Sequence, residues 1–557
     1  MPNKLLTLLT NALSKESKCA LASDKLLERV KGTEGLHHFK SKQRQVIAVL
    51  TLTYASEIKI LLDLANQYAK DEELAFTLYP ISTGNNWGYG TSQPSGLSKN
   101  IILLDLGQLR AIKHFDNELG LVTIEPGVTQ QQLSNFLHRH NYNYMVPVTG
   151  AGPDCSILAN ALERGYGITP YTDHFSAVNA IQGFWANGVP YESAINELDA
   201  SHEHLVDKTF KWGLGPYLDG LFTQSNLGIV SQMTIRLAKR KPGFSSFFIQ
   251  IKDEVLFEQA VPLIRQILQD YEGIIGAINL MDQRRLLSMI AENPEGNGNH
   301  QVMTESAIAL LAKNFNTPNW TIVGSIYSSK SVVRTVEKEI SQLFKKLASK
   351  QVFSNSPLFA LANKVVKQLP LAFINQVPLL SKVKQQLNSF DKAAEIMLGK
   401  PNKVALKLAY WRHKESALFD KEQLSPGRDG CGLLWYAPLI PMQAEKMREF
   451  VSFVRETCPK FNIEPFITFT NLKHDCVDSS IPIVFDLNNQ QAVVDAHNCL
   501  RALVEQGLTK GFVPYRLNID QQQWLLNKDS NFWKTVKQLK ASLDPNDILS
   551  QGRYNPK

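Results

Sequence analysis

The chain has 557 residues, of which 44% are hydrophobic and 20% charged, a composition typical of a globular protein with two or three domains. No apolar run reaches the roughly 18 residues of a membrane span, and the net charge of +7 is spread along the chain, so we expect neither membrane insertion nor nucleic-acid binding. The six cysteines form no CxxC pair and have neither zinc-site nor disulfide-framework spacing, so we expect reduced thiols and no metal.

The N-terminal segment is predicted to form an amphipathic helix. Leu5, Leu8, Leu9 and Leu13 fall on one face at helical spacing. Polar residues interrupt the apolar stretch, and no convincing small-residue cleavage site follows, which argues against a signal peptide. We therefore expect a cytoplasmic protein.

Residues 42–140 alternate between strand and helix patterns. The predicted strands are Gln45–Tyr54, Asn100–Leu106 and Leu121–Ile124, and a helix is predicted over Ser56–Lys70. Thr129 is the expected cap of a further helix that runs to residue 140. This alternation indicates an α+β or α/β nucleotide-binding domain.

A glycine-rich loop at residues 80–90 follows the predicted strand Phe76–Tyr79. Its three glycines and small polar side chains allow a sharp bend that directs several backbone N–H groups to one point, which suits a pyrophosphate. Taken alone, such a loop is more often a surface turn. Two further glycine-bearing stretches follow at 146–175 and 210–237, and small residues in the first would let a bulky ligand lie close to the backbone.

Residues 244–500 contain a different set of strand and amphipathic helix patterns, which predicts an α+β second domain. The strand patterns cover Ser245–Ile251, Thr321–Tyr327, Gly432–Pro438 and Phe466–Asn471, and the amphipathic helix patterns cover Glu254–Tyr271, Ser331–Ser349 and Pro441–Thr457. Residues 351–398 are expected to be helical, and the chain from Gly511 onward carries turn signals.

Five segments, in this order along the chain, resemble motifs of the vanillyl-alcohol oxidase and p-cresol methylhydroxylase family of FAD-dependent oxidoreductases. They are GNNWGYG at 84–90, NALERGYGITPYTDH at 160–174, the segment 210–230, GKPNKVALKLAYWR at 399–412, and Tyr515-Arg516 together with DPNDILSQGR at 544–553. Each motif is weak alone, but their joint order spans most of the chain.

The resemblance implies an α+β fold: a two-part FAD-binding domain of the p-cresol methylhydroxylase type and an α+β cap domain for the substrate. Residues 1–240 and 501–557 would bind FAD, residues 241–500 would form the cap, and the isoalloxazine ring would face the cap. The residues that would bind the cofactor are Pro80, Ile81, Ser82, Thr83, Gly84, Asn85, Asn86, Trp87, Ser156, Asn160, Glu163, Gly165, Ile168, Gly228, Ile229 and Val230.

The chain departs from the family pattern at two positions. The family often tethers its flavin to a His or Tyr in the strand before an [FY]-[SA]-P motif. Here Leu433 falls at about that position, and leucine cannot form the bond, so we expect dissociable FAD; Cys431 lies two residues away and is more simply a buried thiol. Asn85 stands where the family more often has Arg, which removes a positive charge near the cofactor.

By the same resemblance, Tyr89, Tyr515 and Arg516 would bind the phenolic oxygen of the substrate. An arginine and two hydroxyl donors in a dry site favour the phenolate over the phenol. The phenolate pushes electrons toward the para carbon, so that a hydride can leave for flavin N5 and a quinone methide forms. The alternative is that Tyr515 and Arg516 only hold FAD or a loop.

Other polar residues have two interpretations each. Asp154 could be an acid beside flavin N5 or the cap of the following helix. His474 could relay a proton or be structural, and Glu464 resembles a glutamate of the methylhydroxylase cap. Trp435 and Tyr436 could line a substrate pocket, but neighbouring residues of a strand point to opposite faces, so only one can face inward.

Three functions follow from these motifs. The first is an oxidase or dehydrogenase of a para-substituted phenol or benzylic alcohol, and the second keeps FAD but oxidises a non-phenolic alcohol, amine or biosynthetic intermediate. The third is a family member that holds flavin or binds a partner without turnover. We expect a small-molecule substrate. The electron acceptor, which is oxygen or a redox partner, stays open, and so does the formation of a homodimer.

Overall fold

The computed structural model describes residues 2–22, 45–85, 88–95, 100–199, 205–291, 293–294, 300–356, 378–413, 424–427, 429–471 and 473–556. Asn86 and Trp87, two of the expected cofactor-binding residues, therefore lie outside the described residues. The six cysteines all lie within the described residues, and no two of them form a disulfide.

The first sheet is built around parallel strands. Its members are β1 (Lys18–Leu21), β2 (Val46–Thr51), β3 (Thr77–Ile81) and β4 (Ile101–Asp105), in the spatial order β1-β2-β4-β3. Strands β2, β3 and β4 are parallel, and every residue of β4 is buried, as expected for a strand covered on both faces. The helices Pro2–Ala12 and Glu57–Gln67 pack on this sheet, and burial of Leu5 and Leu9 confirms the predicted amphipathic N-terminal helix.

The second sheet is antiparallel. Its members are β5 (Ile112–Asp116), β6 (Leu121–Ile124), β8 (Val178–Trp185), β9 (Pro190–Glu192) and β10 (Gly228–Arg236), in the order β5-β6-β10-β8-β9, and beside it lie the paired β7 (Tyr144–Met145) and β11 (Ala238–Lys239). The helix Gln130–Arg139 begins after Thr129, whose hydroxyl accepts the Gln132 N–H at 3.1 Å, as predicted. A shorter helix, Ile157–Leu162, packs in the same apolar core as this sheet.

The second domain contains one large sheet and one strand pair. The strands are β12 (Gly243–Ile251), β13 (Asn279–Asp282), β14 (Trp320–Ser328), β15 (Ala348–Phe353), β16 (Cys431–Tyr436), β17 (Pro438–Pro441), β18 (Thr468–Asn471), β19 (Cys476–Ser479), β20 (Ile481–Asp486) and β21 (Val513–Pro514). The order is β15-β12-β14-β13-β18-β19-β17-β21 in the large sheet, and β16 pairs with β20. The predicted α+β second domain is therefore observed.

The helices of the second domain differ from the predictions in two places. They are Phe257–Asp270, Gln283–Ile290, Glu305–Phe315, Lys330–Leu343, Pro378–Met397, Ala444–Thr457 and Gln490–Thr509. The predicted helix over Ser331–Ser349 is wrong beyond Leu343, because the chain turns and residues from Ala348 onward pair with β12. Likewise residues 351–353 are strand and the helix begins only at Pro378, with 357–377 outside the described residues.

The long helix Gln490–Thr509 crosses the domain boundary that we expected at residue 500. Its residues Leu500 and Leu503 are buried in the same apolar core as Trp320, Phe450 and Phe469 of the second domain. Strand β21 also belongs to the large sheet. We therefore propose that the chain returns to the first domain after Pro514.

The C-terminal segment then packs on the first domain. The Leu78 N–H of β3 donates to the Ile548 carbonyl at 2.8 Å, and Leu549 lies in the core of the first sheet. The segment holds more than the turns that we predicted, because the helix Asn531–Leu543 begins after Ser530, whose hydroxyl accepts the Trp533 N–H. The amphipathic pattern of this helix is short and rich in lysine, and we did not recognise it in the sequence.

Candidate functional site

A cavity of about 440 Å³ lies between the two domains. The first domain lines it with the loop after β3, the start of β10 and the helix Ile157–Leu162, and the C-terminal segment adds residues near Leu549. The second domain lines it with β13, β14, β16 and β18 and with the helix Gln283–Ile290. A cavity with walls from two domains is a common place for a ligand and its reaction partner to meet.

Most of the expected cofactor-binding residues line this cavity. They are Pro80, Ile81, Ser82, Gly84, Asn85, Ser156, Asn160, Glu163, Gly165, Ile168, Gly228, Ile229 and Val230. Thr83 is not among the lining residues, although its hydroxyl oxygen is buried and makes no hydrogen bond within the described chain. The three glycine-bearing segments therefore converge on one space.

The backbone next to the cavity leaves no room for side chains at two glycines. A Cβ atom at Gly165 would collide with the Asn160 amide, and one at Gly167 would collide with the Val148 carbonyl. The Asn160 amide in turn lies 2.6 Å from Nδ1 of His174, and burial lowers the pKa of His174 to about 4, so this histidine is neutral. Asn160 is therefore held in place, and both glycines are required by close packing between the segments that form this wall.

Two arginines and one glutamate form an ion cluster in the cavity wall. The Glu163 carboxylate contacts Arg553 and lies 3.4 Å from Nε of Arg516, and the side chains of all three residues are no more than 14% exposed. Since one carboxylate faces two guanidinium groups, the cluster keeps a net positive charge. We did not predict Arg553, although it ends the DPNDILSQGR segment that carried part of the resemblance.

The three expected phenol-binding residues come together. Tyr89, Tyr515 and Arg516 all line the cavity, and the guanidinium carbon of Arg516 lies 4.1 Å from the centre of the Tyr89 ring. The two tyrosines share a side-chain hydrogen bond. Burial raises the pKa of both hydroxyls above their usual range, although the charge of Arg516 opposes the shift, so both remain protonated donors at neutral pH.

A second polar group next to these residues was missed in the sequence. The Ser480 hydroxyl lies 2.9 Å from the Tyr166 hydroxyl and donates to Oδ2 of Asp478 at 2.8 Å, and the Tyr166 ring lies 5.8 Å from the Tyr515 ring. Asp478 is fully buried, and burial raises the pKa of its carboxyl to about 7, against the opposing hydrogen bond from Ser480. Asp478 lies on β19, and the sequence pattern did not predict that strand.

Asp154 and His474 are not brought to the cavity. Asp154 is exposed in a loop, where its carbonyl accepts from the Asn85 amide at 3.1 Å. It is not the helix cap either, because Ser156 occupies that position and its hydroxyl accepts the Ala159 N–H at 3.1 Å. His474 lies in the turn between β18 and β19 and is absent from the cavity wall.

Glu464 is also away from the cavity wall. It is 2% exposed and bonds to the Arg284 guanidinium at 2.6 Å and to the Met303 N–H at 2.8 Å. This carboxylate therefore joins the helix Gln283–Ile290 to the following segment, which is a structural role.

Trp435 and Tyr436 point to opposite sides of β16, as expected for neighbouring residues of a strand. Trp435 lines the cavity, whereas the Tyr436 hydroxyl donates to the Phe512 carbonyl at 3.2 Å inside the second-domain core. Leu433, two residues before Trp435, is fully buried on the same side of the strand and packs close to Gly88. The position near which the family resemblance led us to look for a tethering residue thus holds a packed aliphatic side chain.

Comparison with known proteins supports an FAD site. A family model described as an FAD binding domain matches residues 46–188, which contain the glycine-rich loop after β3. The chain is 29% identical over 520 residues to 1'-carboxy-chondrochloren decarboxylase of Chondromyces crocatus, with coverage of 92% of this chain and 91% of that protein. It is 23% identical over 510 residues to the 4-cresol dehydrogenase [hydroxylating] flavoprotein subunit of Pseudomonas putida, covering 91% and 87% of the two chains.

Two solved structures have the same fold. The chain is similar to p-cresol methylhydroxylase with substrate bound, at a TM-score of 0.82 and 21% identity, covering 100% of this chain and 97% of that one. It is also similar to 4-ethylphenol oxidase from Gulosibacter chungangensis in an isoeugenol complex, at a TM-score of 0.82, 18% identity and the same coverage. With the FAD-binding domain in place and the fold matched over its whole length, the chain is an FAD-dependent oxidoreductase with the fold of p-cresol methylhydroxylase.

Proposed function

We propose that this protein removes a hydride from the benzylic carbon of a para-substituted phenol or benzylic alcohol that is bound as its phenolate. The observation that supports this best is the meeting of Arg516 with the Tyr89 and Tyr515 hydroxyls in one buried cavity. The Pseudomonas putida relative, which is named for 4-cresol, is consistent with such a substrate.

The cavity fits FAD in shape and charge. We propose that the backbone from Pro80 to Asn85 holds the pyrophosphate, since Gly84 has a left-handed φ of 75° that lets successive N–H groups converge. The cavity wall that contains Gly165, Gly167 and Ile168 would lie along the ring system. Bound FAD supplies the two-electron acceptor for the hydride.

The chain's own residues would ionise the phenol. Arg516 attracts the developing phenolate, and the two tyrosine hydroxyls donate to it, in a site where a low dielectric strengthens each interaction. Charge on the oxygen then passes through the ring to the para position and weakens the benzylic C–H bond. Because the Tyr89 and Tyr515 hydroxyls share a hydrogen bond, one O–H group must rotate toward the substrate before both can donate to it.

Asp478 is the group that we propose as the acceptor of the phenol proton. A general base works best when its pKa lies near the operating pH, and Asp478 has a pKa of about 7. Ser480 and Tyr166 both line the cavity and connect its interior to this carboxylate through hydrogen bonds. A proton could pass along these hydroxyls without opening the cavity to water.

Oxidation coupled to loss of a carboxyl group is the second candidate. The Chondromyces crocatus relative, named as a decarboxylase, covers 92% of this chain and favours it. Loss of a hydride from the benzylic carbon would give a quinone methide. The bond from the next carbon to a carboxylate would then break, CO₂ would leave, and its electron pair would form the side-chain double bond and restore the phenolate.

The phenol requirement can be tested with matched pairs of compounds. Under anaerobic conditions, 4-alkylphenols and vanillyl alcohol should bleach the flavin absorption, whereas their O-methyl ethers should not, because an ether cannot ionise. Product analysis would separate the two candidates by the presence or absence of CO₂. Equal bleaching by a phenol and its ether would contradict the proposal and favour a non-phenolic alcohol or amine.

We propose that FAD is bound without a covalent link. The physical reason is Leu433, whose saturated side chain offers no atom for a flavin bond. Acid precipitation of the holoenzyme should therefore leave a colourless pellet and a yellow supernatant. A pellet that stays yellow after washing would contradict this assignment and direct attention to the other residues of β16.

Three expectations about partners and location remain predictions. The electron acceptor is oxygen or a redox partner, a homodimer is one open possibility for the assembly, and the expected location is the cytoplasm. Within the described part of the chain, no helix combines the length and apolar character needed to cross a bilayer.

A further inference from the structure

An arginine with free hydrogen-bonding capacity lies in the second-domain wall of the cavity. Arg285, on the helix Gln283–Ile290, lines the cavity and is only 8% exposed. Its Nε and Nη1 atoms are buried and make no hydrogen bond with any described residue. Burial lowers the pKa of Arg285 to about 10, so the side chain is still charged at neutral pH.

The neighbouring residue shows how unusual this is. Arg284, next in the chain and equally buried, bonds to the Glu464 and Glu305 carboxylates at 2.6 and 2.7 Å. Arg285 forms no ion pair of this kind with a described residue. Asp282 is the acid that acts on it, but Oδ1 of Asp282 is occupied by the backbone N–H groups of Arg285 and Ile467, at 2.9 and 3.1 Å.

The surroundings of Arg285 indicate the kind of group that it could bind. The second-domain wall of the cavity also contains the Thr468 hydroxyl, a buried donor without a described partner, whereas Met281 and Met289 are apolar. An unpaired guanidinium in such a wall is costly unless a ligand anion pairs with it. A carboxylate matches it best, because the planar fork donates two parallel hydrogen bonds.

We propose that Arg285 binds a carboxylate on the para side chain of the substrate, so that this enzyme selects acidic para-substituted phenols. The phenol half of this assignment rests on the proposed function, whereas the carboxylate half rests on Arg285 alone. The two ends of the substrate are then held by two arginines, Arg516 in the first-domain wall and Arg285 in the second-domain wall.

Four probes separate the two ends in binding experiments with the holoenzyme. They are 3-(4-hydroxyphenyl)propanoate, 4-propylphenol, 3-phenylpropanoate and propylbenzene. Binding is followed by calorimetry under anaerobic conditions with chemically reduced holoenzyme, whose flavin cannot take a hydride. Each acid should bind at least about tenfold more tightly than its uncharged partner, since hydrogen bonds to charged groups are the strong ones. Arg285→Gln should abolish that preference and leave the Kd of 4-propylphenol within about twofold.

Two further variants keep the outcome decisive. Arg285→Lys retains the charge and should restore part of the preference, and Arg448→Gln, which removes an ion-paired arginine far from the cavity wall, should leave it unchanged. If only 3-phenylpropanoate and 3-(4-hydroxyphenyl)propanoate bind well, the carboxylate site stands and the phenol assignment fails. An unchanged acid preference in Arg285→Gln, or loss of FAD from both Arg285 variants, would overturn the proposal.

Discussion

Replacement of Arg516 by lysine should lower kcat/KM for 4-alkylphenols by about 30- to 150-fold. Lysine keeps the charge but loses the planar fork and the stacking on Tyr89, whose ring centre lies 4.1 Å from the guanidinium carbon. A hydrogen bond to a charged group contributes about 2 to 3 kcal/mol, and each 1.36 kcal/mol is roughly a factor of ten. Steady-state kinetics with several phenols would measure the loss.

FAD content separates this interpretation from a purely structural one. If Arg516 serves the phenolate, Arg516→Lys should retain nearly as much flavin as the wild type. Arg448→Lys is the matched control, since Arg448 is also ion-paired, to Glu254 and Glu258, but on the outside of the second domain. Loss of flavin in parallel with activity would mean that Arg516 holds the cofactor and not the substrate.

Replacement of Asp478 by asparagine should raise the free energy of unfolding at alkaline pH and have little effect in acid. The folded-state pKa of Asp478 is about 7 because burial disfavours the charged form, against an ordinary value of 3.8. Between these two values the folded state binds more protons than the unfolded state, so stability falls as the pH rises. The contribution reaches at most about 4 kcal/mol above pH 7.

Asparagine removes this penalty because it stays neutral and can still accept from Ser480. The difference in Tm between Asp478→Asn and wild type should be small near about pH 4 and grow until about pH 7. Turnover of phenols should fall about 100-fold or more in the same variant, since no carboxylate is left to take the proton. An unchanged pH–stability profile would show that folding does not raise the pKa of Asp478, and would contradict this account.

Glu258→Gln is the control with the opposite sign. The hydrogen bond from Arg448 lowers the pKa of Glu258, so its stabilising contribution is present at neutral pH and disappears as the pH falls. Since Glu258 is largely open to solvent, its effect should be small. The two variants together separate a buried acid from an ordinary surface ion pair.

The sequence predicted those parts of the site that depend on local backbone chemistry. Gly84, Gly165 and the Thr129 cap act through their own segments, and a motif of a few residues contains each of them. The alternation of Trp435 and Tyr436 was predicted for the same reason, because the side-chain period of a strand is fixed.

The residues that were missed depend on contacts between distant segments. Asp478 and Arg285 look like ordinary polar residues in the sequence, and only the pairing of β13 with β18 and of β18 with β19 brings their segments to one wall. Burial without a partner is a tertiary property that no local pattern contains. The same limit explains why His474 was wrongly expected at the site. Asp478, four residues later, lies next to the cavity, whereas the histidine lies in the turn before β19.

The central claim, that the cavity binds a phenol as its anion, is best tested by the absorption spectrum of a bound phenol. The probe is 4-hydroxybenzaldehyde, titrated into the holoenzyme at a pH about two units below the pKa of the free phenol, where almost none of the free compound is ionised. We predict that the long-wavelength phenolate band appears on binding and is weaker in Arg516→Lys. Binding of the probe with the spectrum of the neutral phenol would contradict the assignment of Tyr89, Tyr515 and Arg516 as a phenolate site.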